Sequence, residues 1–564
     1  MQKGIAKIFS VLIVIALSLV FSADVVYAQC GRAGYPQCSP VIRKQGSTNP
    51  KSGRMPTDVR PPPDRNTSRP NPPKPTEPVN RTGVNQKKAE KFFTDALACK
   101  TDDYDCQITN YTKAIRFYPK SANAYFNRGL SYYNKDNFDQ AIKDFNQSIA
   151  LSPVNPNAFH YRGICYYMKR NYDQAISDQT KAISFKHDYV DAYGFRGIAY
   201  TEKNKYDEAI RDFNKLVELA PNLALAYSWR AFSYTRKGSN DEAVKDYSIA
   251  IRLAPNDLFS YYQRGLIYYT KESYDEALND FNKVLELDPK DANALYKRGL
   301  VYYIKDDFDK AINDFNQVIA LYPKFADVYT NRGDSYNGKG SFDDAIKDFN
   351  QSIALEPVNA NAYFGRGNSY YLKENYDAAI SDFTKTINWQ RDFVDAYVSR
   401  GVCYYRKDKY DEAIRDFNMV VQLAPDTVIA YNWRGHAYFD KANYDEAVKD
   451  YSKIIQLNPN NSVAFFNRGL AYHHKGDYDQ AIRDFNKAVE LNSNDQDFYI
   501  YRGNSYFSKG NYNEAVKNYT KAIELNPGSA DAYQLRGNSY RKLGKKKKAK
   551  KDEKKFEELK RNQP

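Results

Sequence analysis

The sequence is poor in the side chains that carry most enzymatic and metal chemistry. Among 564 residues there are five histidines and six cysteines, and no two cysteines stand at CxxC spacing. This scarcity disfavours zinc sites and thioredoxin-type redox chemistry. His436 and His473 occupy candidate surface positions of adjacent sequence repeats, but no cysteine or carboxylate stands at ligand spacing. Because no Ser-His-Asp or Cys-His arrangement is found outside the repeats, we predict no enzyme, no cofactor and no metal site.

Long apolar runs are also nearly absent. The exception is Ile8–Phe21, which follows Lys3 and Lys7 and precedes the small residue Ala28. This order is typical of a cleaved signal peptide over residues 1–28, and the run is shorter than the roughly 20 residues of a membrane-spanning helix. We therefore predict export to the periplasm or the cell exterior, with an uncleaved membrane anchor as the alternative.

Proline and positive charge are concentrated near the ends. Residues 29–87 contain the stretch RPPPDRNTSRPNPPKPTEP, which predicts a disordered basic linker because such a composition cannot bury a core. The net charge of +14 resolves into +10 for residues 1–88, +8 for residues 541–564 and −4 for the rest. We therefore predict no specific nucleic-acid binding, although the basic tails could contact an anionic envelope surface.

Four of the cysteines form two local pairs. Cys30 and Cys38 follow the signal closely, and Cys99 and Cys106 bracket the segment KTDDYD. In an exported chain this pattern predicts two disulfide bonds, although spacing alone does not fix which cysteines pair.

One repeated unit dominates the chain. Arg-Gly pairs recur at a constant interval from Arg128-Gly129 to Arg536-Gly537, and only Ala231 interrupts the glycine series. If this glycine is position 8, thirteen repeats begin at residues 122, 156 and 190 and then at the same interval up to residue 530. Tyrosine stands at position 11 and alanine at position 20 in all thirteen, and proline closes most repeats at position 32.

These marks resemble the tetratricopeptide repeat (TPR) family. In repeat 6, positions 4, 8, 11, 20, 24 and 32 are Leu295, Gly299, Tyr302, Ala311, Phe315 and Pro323. The resemblance implies an all-α TPR solenoid, a right-handed superhelix of about 13–14 helix-turn-helix repeats that follows the signal peptide and the linker. Residues 88–121 form a degenerate repeat without the glycine and alanine marks, which suits an N-terminal cap.

The spacing of the repeated marks agrees with helices. Positions 4, 7, 8 and 11 fall within one stripe of a helix. We expect the second helix of each repeat to begin near the aspartate two residues before the repeated alanine, as at Asp139 and Asp207, where a carboxylate can accept from free amides. Asn155, Asp257 and Asp291 are predicted to cap the first helices in the same way.

A second, longer period indicates an internal duplication. FNQSIALSPVNPNAF at residues 145–159 returns as FNQSIALEPVNANAY at residues 349–363, an offset of six repeats. We therefore predict two blocks of six repeats, residues 122–325 and 326–529, and a C-terminal repeat with a lysine-rich capping helix over residues 530–564. The two blocks are expected to present similar surfaces to similar ligands.

Positions 2, 5, 9 and 12 of the first helix form another stripe, which in TPR arrays lines a concave groove for peptides or partner helices. Position 12 is rich in aromatic residues, which suit recognition surfaces but could equally pack against a neighbouring repeat. The candidate partner-binding residues are Tyr133, Tyr167, Tyr269, Tyr303, Tyr371, Tyr405, Phe439 and Phe507 at position 12, and His160, Asn368, His436 and Asn504 at positions 5 and 9.

The arginine at position 7 accompanies an aspartate at position 23 in twelve of the thirteen repeats. This pairing predicts a structural ladder between helices and not a phosphate or carboxylate site. The family's clamp for chaperone tails requires lysine at position 5, and no repeat has one.

The sequence therefore predicts a non-catalytic scaffold or adaptor that binds proteins or peptides in a concave groove. The alternative is a cell-envelope structural protein that binds wall or surface polysaccharide through its aromatic face and basic tails. An interaction that is sensitive to salt and is lost when the tails are removed would favour this alternative.

Overall fold

The computed structural model describes residues 84–561, which contain 28 α-helices and no β-strand. The predicted signal peptide, most of the linker and the Cys30 and Cys38 pair lie outside these residues. The described chain divides into two compact units, with unit 1 ending at Pro323 and unit 2 beginning at Lys324. The predicted all-α array of helix-turn-helix repeats is confirmed. In the described range, no helix has the length and apolar character needed to cross a membrane.

Unit 1 contains the degenerate helix pair and repeats 1–6. Its helices are α1 Val84–Ala98, α2 Tyr104–Phe117, α3 Ala122–Asn134, α4 Phe138–Leu151, α5 Pro156–Met168, α6 Tyr172–Phe185, α7 Val190–Glu202, α8 Tyr206–Leu219, α9 Ala224–Lys237, α10 Asn240–Leu253, α11 Leu258–Thr270, α12 Tyr274–Leu287, α13 Ala292–Ile304 and α14 Phe308–Leu321. A disulfide bond joins Cys99 and Cys106 beside the turn between α1 and α2.

Unit 2 contains repeats 7–13. Its helices are α15 Ala326–Gly338, α16 Phe342–Leu355, α17 Ala360–Leu372, α18 Tyr376–Trp389, α19 Val394–Arg406, α20 Tyr410–Leu423, α21 Val428–Asp440, α22 Tyr444–Leu457, α23 Ser462–His474, α24 Tyr478–Leu491, α25 Gln496–Ser508, α26 Tyr512–Leu525, α27 Ala530–Lys542 and α28 Lys546–Arg561. In both units the odd-numbered helix is the first of its repeat and the even-numbered helix is the second.

The glycine at position 8 allows the two helices of a repeat to approach closely. In repeat 6, a Cβ atom on Gly299 would lie 2.7 Å from Cε1 of Phe315, a distance that real Cβ contacts do not reach. Phe315, at position 24, is completely buried. The tight contact between position 8 and the aromatic ring at position 24 therefore fixes how the helix pair packs.

The caps of the helices follow the sequence only in part. The side chains of Asn155, Asp257 and Asp291 accept from amides in the first turns of α5, α11 and α13, so these predictions are confirmed. The prediction for Asp139 is wrong, because Asn137 caps α4 and Asp139 lies in the first turn of that helix. The helix begins at Phe138, near Asp139 as expected, but its cap lies two residues before Asp139, so this carboxylate is left for another contact.

That contact is an ion pair with the next repeat. Asp139 pairs with Lys169, and the same pairing of position 18 with position 14 of the following repeat joins Asp207 to Lys237 at 2.6 Å. These pairs are exposed, so water and salt screen them and each contributes little to stability. Their recurrence within each unit nevertheless helps to align most repeats with the one before.

The arginine at position 7 forms the predicted ladder. Nε and Nη2 of Arg128 donate to the two carboxylate oxygens of Asp144 at 2.8 and 2.7 Å, which joins α3 to α4. Nη1 of the same side chain donates to Thr112 of the preceding helix pair at 3.0 Å. One guanidinium thus connects both helices of its own repeat to the second helix of the repeat before it.

Candidate ligand-binding face

The odd-numbered helices form one side of each unit. Within a unit, neighbouring odd-numbered helices contact one another, whereas each even-numbered helix packs mainly between the two odd-numbered helices next to it. We define the inner face as the side chains at positions 2, 5, 6, 9 and 12 of the odd-numbered helices. All twelve candidate residues belong to it. Position 6, which the sequence analysis omitted, belongs to it because it contacts position 12 of the preceding repeat, as Trp433 contacts Tyr405 at a ring distance of 5.3 Å.

Unit 1 buries three of the candidate residues. Tyr133 is 9% exposed, Tyr167 is 1% exposed and His160 is fully buried. The ring of Tyr133 packs against Tyr161 of the next repeat at 5.8 Å. These three side chains therefore contribute to the core, and their assignment to a ligand surface is corrected.

His160 is buried as part of a polar pair. Its Nδ1 lies 2.8 Å from Oε1 of Gln179, whose Nε2 donates to the carbonyl oxygen of His160 at 3.0 Å. Gln179 occupies position 24, where the other repeats of unit 1 carry an aromatic residue. Burial lowers the pKa of His160 to about 4, so the imidazole is neutral at physiological pH. The glutamine at position 24 was the sequence signal for this contact.

The aromatic residues at position 12 share one packing arrangement. Each candidate ring lies 5.2–6.2 Å from the aromatic residue at position 17 of its own repeat. Apart from Tyr133 and Tyr167, these rings stay partly exposed: Tyr269, Tyr303, Tyr371, Tyr405, Phe439 and Phe507. Contact with the residue at position 17 thus fixes the orientation of each ring. The part of the ring that this contact leaves uncovered lies on the inner face.

The candidate polar residues of unit 2 are partly exposed. Asn368, His436 and Asn504 all lie on the inner face, and Nε2 of His436 is 3.2 Å from Nδ2 of Asn467. Burial lowers the pKa of His436 below its usual value. Throughout residues 84–561, no group of histidine, cysteine and acidic side chains is arranged to hold a metal ion.

A cavity of about 260 Å³ opens on the inner face of repeats 11–13. Its walls are His473, Asn504, Phe507, Ser508, Tyr519, Leu535 and Asn538.

The two asparagines of this cavity have their carbonyl oxygens occupied. The hydroxyl of Tyr519 donates to Oδ1 of Asn504 at 2.8 Å, and Nη1 of Arg541 donates to Oδ1 of Asn538 at 2.8 Å. Each side-chain amide therefore keeps its NH₂ group available to donate. With Phe507 as an apolar wall, the cavity suits a ligand that combines an apolar group with a carbonyl or carboxylate acceptor.

The two blocks of the duplication differ on their inner faces, contrary to the expectation of similar surfaces. Position 9 is apolar throughout the first block, and at several places positions 6 and 9 change from an apolar residue in the first block to a small or polar residue in the second. The pairs that the duplication relates include Tyr161 and Gly365, Ile164 and Asn368, Phe195 and Ser399, Phe232 and His436, and Leu300 and Asn504. The first block thus fills its inner face with its own side chains, while the second leaves polar groups accessible.

Comparison with known proteins supports the repeat assignment. Family models described as TPR repeat and Tetratricopeptide repeat match stretches of helix pairs from residue 122 to residue 563. The matched residues are 197–238, 265–306, 333–374, 435–476 and 503–544 for the first, and 122–155, 292–325, 360–393, 394–427, 462–495 and 530–563 for the second. No curated protein sequence matches the chain.

Solved structures with similar folds share little sequence with this chain. The yeast Tom70 structure is 19% identical, with 76% of this chain and 97% of that chain covered and a TM-score of 0.31. A tetratricopeptide repeat protein from Parabacteroides merdae is 18% identical, with 44% and 98% covered and a TM-score of 0.33. The family models, together with helix pairs that recur at a constant interval along the chain, show that the chain belongs to the tetratricopeptide repeat family.

Proposed function

We propose that this chain is a non-catalytic scaffold that binds an extended protein or peptide segment along the inner face of unit 2. The observation that carries this proposal is the cavity of repeats 11–13, which is lined by two asparagines with occupied carbonyl oxygens and by Phe507. An extended peptide supplies carbonyl acceptors and apolar side chains together, which is the combination that this cavity suits. Exposed aromatic surface at Tyr371, Tyr405 and Phe439 extends the same face toward earlier repeats.

The test selects ligands first and then removes the donors. Peptides that bind the full chain are selected from a displayed random library, and their affinities are measured by fluorescence anisotropy. Changing Asn504 and Asn538 to leucine together removes two donors and should weaken binding at least about tenfold. Asn513→Leu is the matched control, because it makes the same change on an exposed position of α26 in repeat 12.

Unchanged affinity in the double asparagine variant would overturn the proposal. So would a chain that selects no peptide but binds wall polysaccharide in a salt-sensitive manner that depends on residues 541–564. That second result would replace the scaffold with the envelope-structural alternative.

We also propose that the chain acts after export. The support is the order of Lys3, Lys7, the apolar run Ile8–Phe21 and Ala28. Mass spectrometry of the protein isolated from its native cells should find an N-terminus at Gln29, and a chain that retains Met1 in the cytoplasm would refute export.

A further inference from the structure

Repeat 6 places a positively charged amine on the inner face of unit 1. Lys297 occupies position 6 of α13, and its side chain is partly exposed. Its Nζ atom lies 5.5 Å from the ring centre of Tyr269 and 5.8 Å from that of Tyr296. No carboxylate among the described residues pairs with it, and burial lowers its pKa.

The stacking of the repeats does not require an amine at this position. The other repeats of unit 1 carry asparagine, glutamine or an aromatic residue at position 6, and the duplicated position in unit 2 is Tyr501. A tyrosine at residue 297 would fill the space without placing a charge in a desolvated site. Because a desolvated cation without an anion destabilises the fold, the lysine is better explained by an anion that arrives with a ligand.

We propose that Lys297, held between the rings of Tyr269 and Tyr296, is a binding site for a carboxylate group of the ligand. The two rings attract the ammonium group and limit its rotation. The side chain therefore loses less conformational entropy when a carboxylate binds. The ammonium group supplies N–H donors for charge-assisted hydrogen bonds, and Lys297 is a partly exposed residue of the inner face. That this carboxylate belongs to a peptide rests on the proposed function.

The site differs from the chaperone-tail clamp that the sequence disfavours. That clamp requires lysine at position 5, and position 5 of repeat 6 is Tyr296. The present site uses one lysine at position 6 and two tyrosine rings from adjacent repeats. We therefore expect it to recognise a single carboxylate, either an acidic side chain or a free C-terminus.

The experiment follows the amine itself in the full chain. Lysines are labelled by reductive methylation with ¹³C, and the Lys297 signal is assigned by its absence in Lys297→Met. Sodium acetate, the peptide Ac-Gly-Glu-Gly-NH₂ and the peptide Ac-Gly-Gly-Gly with a free C-terminus are titrated separately, with sodium chloride at equal ionic strength. Lys283 is the internal control, because it already pairs with Glu286 at 2.8 Å on the second helix of repeat 5.

We expect a saturable shift of the Lys297 signal with acetate and with at least one peptide, and no such shift with chloride or at Lys283. Tighter binding of Ac-Gly-Glu-Gly-NH₂ would indicate recognition of an acidic side chain, and tighter binding of Ac-Gly-Gly-Gly would indicate recognition of a free C-terminus. In the Lys297→Met variant, binding of that peptide should weaken at least about tenfold. Its thermal unfolding midpoint should not fall, because the variant removes a charge that has no partner. If Lys297 served only in packing, the Lys297→Met substitution would instead lower the unfolding midpoint.

A Lys297 signal that ignores all carboxylates, or that responds equally to chloride, would overturn the inference. The acetate response does not depend on Asn504 or Asn538. A saturable acetate shift in a chain that selects no peptide would therefore refute the proposed function while leaving the carboxylate site in place.

Discussion

Changing Asn518 to aspartate should stabilise repeat 12. Position 23 is aspartate in every other repeat, and in repeat 11 Asp484 accepts from Nε and Nη2 of Arg468 at 2.7 and 2.8 Å. In repeat 12, Nε of Arg502 donates to Oδ1 of Asn518 at 2.7 Å, but Asn518 offers no second oxygen. Burial lowers the pKa of Arg502, whereas the hydrogen bond that Arg468 donates to Asp484 raises the pKa of Arg468. The asparagine thus leaves a half-buried cation without an anion.

The expected gain in the free energy of unfolding is the contribution of one new hydrogen bond minus two smaller unfavourable contributions. A hydrogen bond to a charged group contributes about 1.5–3 kcal/mol. The variant loses the bond from Nδ2 of Asn518 to the carbonyl oxygen of Glu514, at 2.9 Å, and a neutral bond of this kind contributes about 0.5–1.5 kcal/mol. Repulsion between the new carboxylate and Glu514 one turn away costs about 0.2–0.5 kcal/mol. The net stabilisation is therefore about 1 kcal/mol.

Amide hydrogen exchange in α25 and α26 is the assay, because repeat arrays open locally and exchange assigns the gain to repeat 12 itself, which a melt of the whole chain does not. A gain of about 1 kcal/mol should slow exchange in these helices about fivefold. The reciprocal variant Asp484→Asn should speed exchange in α23 and α24 by at least as much. If Asn518→Asp leaves exchange unchanged and Asp484→Asn does too, the carboxylates of the ladder contribute nothing and this reasoning fails.

Two further predictions concern single side chains in the core. Gly299→Ala forces a Cβ atom to 2.7 Å from the buried ring of Phe315 and should destabilise by about 1–3 kcal/mol. A Cβ atom at Gly537 would lie 3.4 Å from Cβ of Asp552 and 3.6 Å from the carbonyl oxygen of Ala549, which are ordinary contacts, so Gly537→Ala should be neutral or stabilising in thermal melts. Equal effects of the two substitutions would contradict the close-approach argument. Burial raises the pKa of Asp191 to about 6, and its buried Oδ1 has no hydrogen bond. The ionised form of Asp191 therefore destabilises the fold above pH 6, and this destabilisation disappears below about pH 4, where the carboxyl group is protonated in both the folded and the unfolded chain. Asp191→Asn should therefore raise the melting temperature at pH 8 and leave it unchanged at pH 4, and the reverse order would refute the assignment.

The sequence was sufficient to predict the architecture because the same structural residues recur in thirteen repeats. A glycine at position 8, an aromatic residue at position 24 and an Arg–Asp pair return in almost every repeat, and each marks a contact made within one repeat. The cap prediction failed at Asp139, because Asn137, two residues earlier, caps the helix and is an equally good cap residue. Two cap residues this close in sequence cannot be ranked without the geometry of the turn.

The candidate site was less predictable because exposure depends on neighbouring repeats. Helical spacing places His160 and Asn368 on the same stripe, yet His160 is buried and Asn368 is partly exposed. His160 is covered by Tyr189 and by Phe195, the position 6 residue of the next repeat, whose rings lie 4.8 and 5.3 Å from the imidazole. Position 6 likewise contacts position 12 of the repeat before it, as Tyr161 contacts Tyr133. A single helical wheel contains no information about a contact between two repeats, so position 6 was overlooked.

The Arg–Asp ladder that stacks the repeats is separate from the side chains that we propose bind a ligand. In repeats 2 and 8 the ladder is nearly identical: Arg162 meets Asp178 at 2.6–2.7 Å, and Arg366 meets Asp382 at 2.7–2.8 Å. Between the same two repeats, however, positions 6 and 9 change from apolar to small or polar. Because the ladder does not involve the inner face, a substitution at an inner-face position leaves the ladder in place, although position 6 also contacts the preceding repeat. Duplicated blocks with the same ladder can therefore carry different inner faces. The two sites that we propose differ in this way: the amine of Lys297 offers a charge, and the asparagine cavity of unit 2 offers neutral donors.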